Sequence, residues 1–228
     1  MMLVASLVVG GPCIDIPCDP AMREQATDLG FARWLEDHAA GAAATVTFEL
    51  GISLSKKVEL SVHSAQTYRS RFGQQQSDFA WAHYRGGQIH INGGLPIQNS
   101  FNGLLVHEMV HAVLDYQDSA GRLPRWLNEG LAENFEAVSQ GIPEIDQVQR
   151  IFLKDALRQN EVPKLSALGR PSDATQYLVS HAAIRFAFDS IGKQRVLDAV
   201  AATLKGGDFD AEWSKATGQS LADFDRSF

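Results

Sequence analysis

The sequence predicts an α+β fold, with a small twisted sheet in its first part and a mostly helical second part. Up to about residue 95, short runs alternate apolar and polar side chains, which is typical of half-buried strands. After that point, apolar side chains recur at helical spacing. Strands grouped before helices indicate the α+β class. We therefore expect a sheet-rich segment over residues 20–95 and a helical segment over residues 96–228.

Three features of the first part predict its elements in order. Alternating apolar residues over 45–50 and 58–62 predict half-buried strands. The sequence Arg85-Gly86-Gly87 predicts the turn of a β-hairpin. The full set comprises a helix over residues 21–39, strands over 45–50 and 58–62, a short helix over 65–72, and strands over 79–84 and 88–92.

The second part is predicted to consist of helices alone. Pro124 at the start and Gly141 just past the end mark one of them, because proline is favoured in the first turn and glycine after the last. The predicted helices cover residues 101–116, 124–140, 143–159, 174–190, 194–204, 209–216 and 221–227.

Composition and charge limit the classes of protein to which this chain can belong. The 228 residues are 45% hydrophobic, which is ordinary for a globular chain, and such a length can bury a core without disulfides. We expect one domain over residues 20–228. Because 20 basic and 27 acidic residues give a net charge of −7, nucleic acid is not expected as a partner. No apolar run reaches the roughly 20 residues of a membrane span.

Residues 1–19 are expected to be a leader. The apolar run over residues 3–9 could be the core of a signal peptide, although no basic residue precedes Arg23, or it could be a strand. Export to the periplasm or the cell exterior is favoured over a cytoplasmic location. Cys13 and Cys18 could then form a small disulfide loop, or they could remain two thiols.

The helix predicted over residues 101–116 contains the sequence HEMVH, with His107 and His111 four residues apart. Residues at this spacing share one face of a helix, so the two imidazoles can bind one Zn²⁺ ion. Glu108 would then accept a proton from a water at the metal. Burying two imidazoles without partners costs free energy, which favours a metal. A metal-free pair of hydrogen-bonded core histidines is the alternative.

A third ligand is available on the next helix, in the sequence WLNEGLAE. Two histidines and one glutamate, with one position open, form a catalytic zinc site, and Glu129 can complete this set. Gly130 has no side chain, so the two helices can approach closely. Glu133 lies one turn further and could hydrogen-bond a ligating histidine. A solvent-exposed acidic face formed with Glu136 is the alternative.

Together, HEMVH and WLNEGLAE resemble the gluzincin zinc metallopeptidases, and most of all their small peptidase MA-type domains. The resemblance covers about residues 101–136. It implies a zincin-like fold, one zinc ion per chain and a peptide or protein substrate. The residue roles that it implies are ligand for His107, His111 and Glu129, general base for Glu108, and support of the ligands for Glu133. Asn128, next to Glu129, is also expected to support the ligands.

The resemblance implies two further features of the site. A nearby tyrosine or histidine would stabilise the oxyanion, and Tyr177 on a later helix is the predicted one, with His181 and Tyr116 as alternatives. An extended peptide would bind along an edge strand ahead of the metal-binding helix. That strand is predicted to consist of Gln88, Ile89, His90, Ile91 and Asn92.

The expected function is therefore zinc-dependent hydrolysis of peptide bonds through a metal-activated water. One alternative is a zinc-bound, peptidase-like scaffold without activity that binds a protein partner, since no residue indicates a substrate. Another is a metal-free helical protein in which HEMVH is a chance motif.

Overall fold

A computed structural model describes residues 6–7, 29–54, 57–95, 100–118, 120–142, 145–159, 162–168 and 174–228. These residues are mostly helical with a small sheet, which confirms the α+β class. They divide into two compact units, with the boundary after Tyr116 and with residues 50–52 in the second unit. Apart from Ser6 and Leu7, the predicted leader lies outside the described residues, as do Cys13 and Cys18.

The first unit combines the sheet with the helix that contains HEMVH. Its elements are β1 (Ser6–Leu7), α1 (Leu29–Leu50), β2 (Glu59–His63), α2 (Ala65–Phe72), α3 (Gln74–Phe79), β3 (Ala82–Arg85), β4 (Gln88–Asn92) and α4 (Phe101–Gln117).

The described sheet has four strands in the order β1-β2-β4-β3. β2 is parallel to both β1 and β4, whereas β3 is antiparallel to β4. β3 and β4 form the predicted hairpin, and Gly86 and Gly87 both have positive φ angles in its turn. Glycine is favoured there because other residues rarely adopt this conformation. β4 therefore lies inside the sheet, and β3 forms one edge.

The two faces of the sheet differ in polarity. Side chains alternate between the faces, so Leu60 and Val62 on β2 and Ile89 on β4 share one buried apolar face. Ser61 and His90 lie on the other face, which is polar and also buried. The apolar face belongs to the core of this unit, to which α1 and α4 contribute their buried residues.

Two predicted strands are corrected. Residues 45–50 are the end of α1 rather than a strand, because Val46 and Leu50 are four residues apart and also fit a helix. Phe48, between them, is 84% exposed, as a helix requires. The predicted strand over 79–84 begins only at Ala82, because the unpredicted helix α3 ends at Phe79.

Every secondary-structure element described in the second unit is a helix or a helical turn, as predicted. Its elements are α5 (Arg125–Ser139), α6 (Gln147–Arg158), a 3₁₀ turn (Leu165–Ala167), α7 (Ala174–Ala187), a π-helical turn (Phe188–Gly192), α8 (Lys193–Leu204), α9 (Phe209–Thr217) and α10 (Leu221–Ser227). Pro124 immediately precedes α5, and Gly141 follows it with a positive φ angle. None of the helices described in either unit combines the length and hydrophobicity of a membrane span.

A glycine allows α5 and α7 to pack closely. A Cβ atom on Gly130 would lie 2.3 Å from the carbonyl oxygen of Ser180 and 2.5 Å from Cγ1 of Ile184. The sequence predicted a close approach at Gly130 to the helix that contains HEMVH, but the neighbour that requires this glycine is α7. Gly130 therefore fixes the position of α5, and of Glu129 on it, within the second unit.

Candidate metal centre

α4 places two imidazoles side by side. His107 and His111 are one helical turn apart, and their ring centroids are separated by 4.9 Å. The helix is buried around most of its circumference, including Val106, Met109 and Val110 beside the histidines. This burial keeps His107 largely out of contact with bulk water.

Glu108 is held by the backbone of the edge strand. Its side chain is buried, and its Oε2 atom accepts a hydrogen bond of 2.6 Å from the backbone N–H of Tyr84. In an antiparallel pair, alternate residues direct their N–H and C=O groups to the outer side of the edge strand. Tyr84 is such a residue of β3. Sequence reasoning missed this contact because a backbone donor leaves no mark in the residue type.

The side chain of Tyr84 forms a second contact with α4. Its hydroxyl donates a hydrogen bond of 2.6 Å to Oδ2 of Asp115, which lies one turn after His111. Burial, together with the Asp115 carboxylate, raises the pKa of Tyr84, so this hydroxyl keeps its proton. Tyr84 thus attaches β3 to α4 twice, through its backbone N–H and through its side-chain hydroxyl.

The predicted peptide-binding strand is wrong. Gln88, Ile89, His90, Ile91 and Asn92 form β4, which pairs with β2 on one side and with β3 on the other. Its backbone groups are therefore used within the sheet and cannot add a further strand. The edge strand that contacts Glu108 is β3 instead.

α5 contains the predicted glutamates. Glu129, Glu133 and Glu136 are all partly buried, and so is Asn128. One carboxylate oxygen of Glu129 is fully buried. The acidic face formed by these three glutamates is therefore partly buried.

Two groups of histidine and glutamate side chains among the described residues could hold a metal ion. The first comprises His107, His111 and Glu129, which is the predicted ligand set. The second comprises His107, Glu133 and Glu136. Imidazole and carboxylate ligands suit several divalent transition metals, so the ligand types leave the identity of the metal open.

Among the three candidates for oxyanion stabilisation, Tyr116 has a structural role. Its hydroxyl donates to the carbonyl oxygens of Gly87 and Lys57, and it thereby anchors the hairpin turn. Tyr177 is half-buried in the first turn of α7. His181 is buried one turn further, and burial lowers its pKa, so the ring is neutral near pH 7. The choice of Tyr177 stays a prediction.

Comparisons with known proteins assign no family to this chain. Neither protein-family models, nor curated proteins, nor solved structures match it. The resemblance to gluzincins therefore stays a prediction.

Proposed function

We propose that this chain is a zinc-dependent peptidase in which Glu108 is the general base. The proposal rests on one observation, which is the burial and the fixed orientation of the Glu108 side chain. Its carboxylate is buried and oriented by one backbone N–H, and its neighbour His107 belongs to a candidate metal site. Burying a carboxylate is costly, and a fixed carboxylate beside a metal is what hydrolysis by an activated water requires.

The residues fit zinc as the metal. We propose that His107, His111 and Glu129 bind one Zn²⁺ ion, because two imidazoles and one carboxylate are a known catalytic set that leaves one position open. When bound, zinc would supply a Lewis acid and lower the pKa of a coordinated water. Glu133 and Asn128 are proposed to support these ligands, as the usual partners of metal-bound side chains do.

The chain's own residues then account for the proton transfers. Oε2 of Glu108 is held by Tyr84, so Oε1 is the atom that would accept a proton from the attacking water. The same atom would deliver that proton to the leaving amine nitrogen. Tyr177 is proposed to stabilise the oxyanion.

β3 is the proposed strand for binding an extended peptide. The N–H of Tyr84 is bound to Glu108, so the groups directed away from β4 that remain for a peptide are the carbonyl of Tyr84 and the backbone N–H and carbonyl of Ala82, two residues earlier. A peptide could therefore add to this edge by strand addition. This proposal replaces the prediction that the peptide adds to β4.

Hydrolysis of a peptide library by the zinc-loaded protein tests the proposal, with Glu108→Gln as the variant. The substitution keeps the size of the side chain and removes the base, so we expect a loss of about 10²–10⁴-fold in turnover with zinc retained. Equal rates in the variant and the wild type would refute the role of Glu108. A zinc-loaded wild type that cleaves no peptide would instead favour the inactive scaffold.

A further inference from the structure

Three buried histidines lie on the polar face of the sheet, and the proposed mechanism uses none of them. His63, His90 and His83 come from the neighbouring strands β2, β4 and β3. The rings of His83 and His90, which are directly opposite each other, have centroids 5.3 Å apart. Phe72 of α2 packs against all three rings, at 4.3–5.7 Å between centroids.

Hydrogen bonds connect this cluster internally and to α2. Nε2 of His63 lies 3.0 Å from Nδ1 of His90, a pairing in which one neutral ring donates and the other accepts. The hydroxyl of Tyr68 lies 2.5 Å from Nδ1 of His83 and donates to it in the Nε2–H tautomer. Tyr68 is fully buried, and burial raises its pKa, so the hydroxyl stays protonated.

The edge strand β3 is held by two helices. The Tyr68–His83 hydrogen bond attaches it to α2, and the contacts of Tyr84 attach it to α4. His83 is followed directly by Tyr84, whose N–H binds Glu108 and whose hydroxyl binds Asp115. In the described sheet β3 pairs only with β4. The side-chain contacts therefore restrict how far the other side of β3 can move relative to α4. A shift of β3 by about 1 Å would lengthen the 2.6 Å bond to Glu108 beyond hydrogen-bond range.

We propose that Tyr68 and His83 are positioning residues for Glu108. Their hydrogen bond holds β3 at the distance from α4 at which the Tyr84 N–H orients the carboxylate. The catalytic consequence rests on the proposed peptidase function, whereas the effect on the Tyr84–Glu108 bond does not.

Nuclear magnetic resonance of the Tyr84 amide in the full chain tests this proposal directly. A short bond to a carboxylate protects this amide from hydrogen exchange and moves its proton resonance downfield. In Tyr68→Phe, which keeps the ring and removes the hydroxyl, we expect at least tenfold faster exchange at Tyr84 and an upfield shift of its proton. The amide of Ile89, inside the sheet, should change little.

Three further variants separate a positioning role of Tyr68 and His83 from a general loosening of the hairpin. Tyr116→Phe removes a hydroxyl of α4 that binds the turn of the same hairpin, and it should change the Tyr84 amide less than Tyr68→Phe does. His83→Asn places a carbonyl oxygen near the position of Nδ1, so it should preserve the Tyr84 signals, whereas His83→Ala should alter them as Tyr68→Phe does. Unchanged Tyr84 signals in Tyr68→Phe would overturn the proposal, and so would equal changes in Tyr116→Phe.

The activity of the same variants separates failure of this inference from failure of the proposed function. If the wild type hydrolyses peptides, Tyr68→Phe should lower kcat by a larger factor than it changes KM, because Glu108 loses its orientation while the backbone groups of β3 that would bind the peptide are chemically unchanged. An unchanged kcat in Tyr68→Phe would overturn the proposal. Absence of turnover in the wild type would refute the peptidase function, while the Tyr84 signals would still decide the positioning role.

Discussion

Replacing Gly130 by alanine tests the packing that fixes Glu129. The new Cβ atom would lie 2.3 Å from the carbonyl oxygen of Ser180 and 2.5 Å from Cγ1 of Ile184. Ordinary contacts between such atoms are about 3.5–4.0 Å, so α5 and α7 would have to separate by about 1 Å. The closest atom belongs to the backbone of α7, which cannot rotate away as a side chain could.

The expected free-energy change combines two opposing effects. Overpacking of this kind costs about 1–3 kcal/mol, and a collision with backbone belongs at the upper end. Alanine recovers up to about 1 kcal/mol of helix propensity relative to glycine. We therefore expect Gly130→Ala to reduce the free energy of unfolding by about 2 kcal/mol, because the packing cost exceeds the propensity gain.

Urea denaturation measures this change, and Gly41→Ala is the matched control. Gly41 lies inside α1, and a Cβ atom added to it would meet nothing within 4 Å apart from its chain neighbours and the backbone of its own helix. The same substitution there should stabilise the chain by about 0.5–1 kcal/mol. The two variants should thus shift the midpoint in opposite directions. A Gly130→Ala protein as stable as the wild type would refute the argument that Gly130 is required for the approach of α7.

Three further predictions concern the histidine cluster, the core of the second unit and the metal. Burial, together with the neighbouring His90, lowers the pKa of His63 from its usual 6.5 to about 4 in the folded chain, so the unfolded state binds more protons between these values. Stability should therefore fall as the pH is lowered from 6.5 to 4, by up to about 1.4 kcal/mol per pH unit for this group, and denaturation of His63→Gln should show a shallower slope. Phe224→Ala should cost about 3–5 kcal/mol in urea denaturation, because the buried ring packs against Trp213 and Trp126. Chelation should lower the melting temperature of the wild type after incubation with zinc and leave that of His111→Ala, incubated in the same way, unchanged, because a metal bound only by the folded state adds to its stability.

The helices of the second unit could be predicted because their sequence signals are local. Apolar residues recur at helical spacing, and Pro124 and Gly141 mark the ends of α5. The strand predicted over residues 45–50 failed because Val46 and Leu50 satisfy both a helical and an alternating pattern. Only the continuous helical spacing from Leu35 onward favours the helix.

The metal ligands could also be proposed from the sequence, because His107 and His111 share a helical face by spacing alone. The peptide-binding edge could not, because strand order depends on pairing between distant segments. β2 pairs with β4 rather than with β3, and this places β4 inside the sheet. The contact between Tyr84 and Glu108 was missed for the same reason, since it joins a backbone group to a side chain 24 residues away.

The most direct test of the central claim is the zinc content of the purified chain, measured by mass spectrometry without a metal-binding tag. The account predicts about one zinc per chain in the wild type and a large loss in Glu129→Ala. Glu36→Ala, in α1 and in neither candidate metal group, is the matched control and should retain zinc. A wild type without zinc after reconstitution, or equal zinc in Glu129→Ala, would contradict the proposed ligand set.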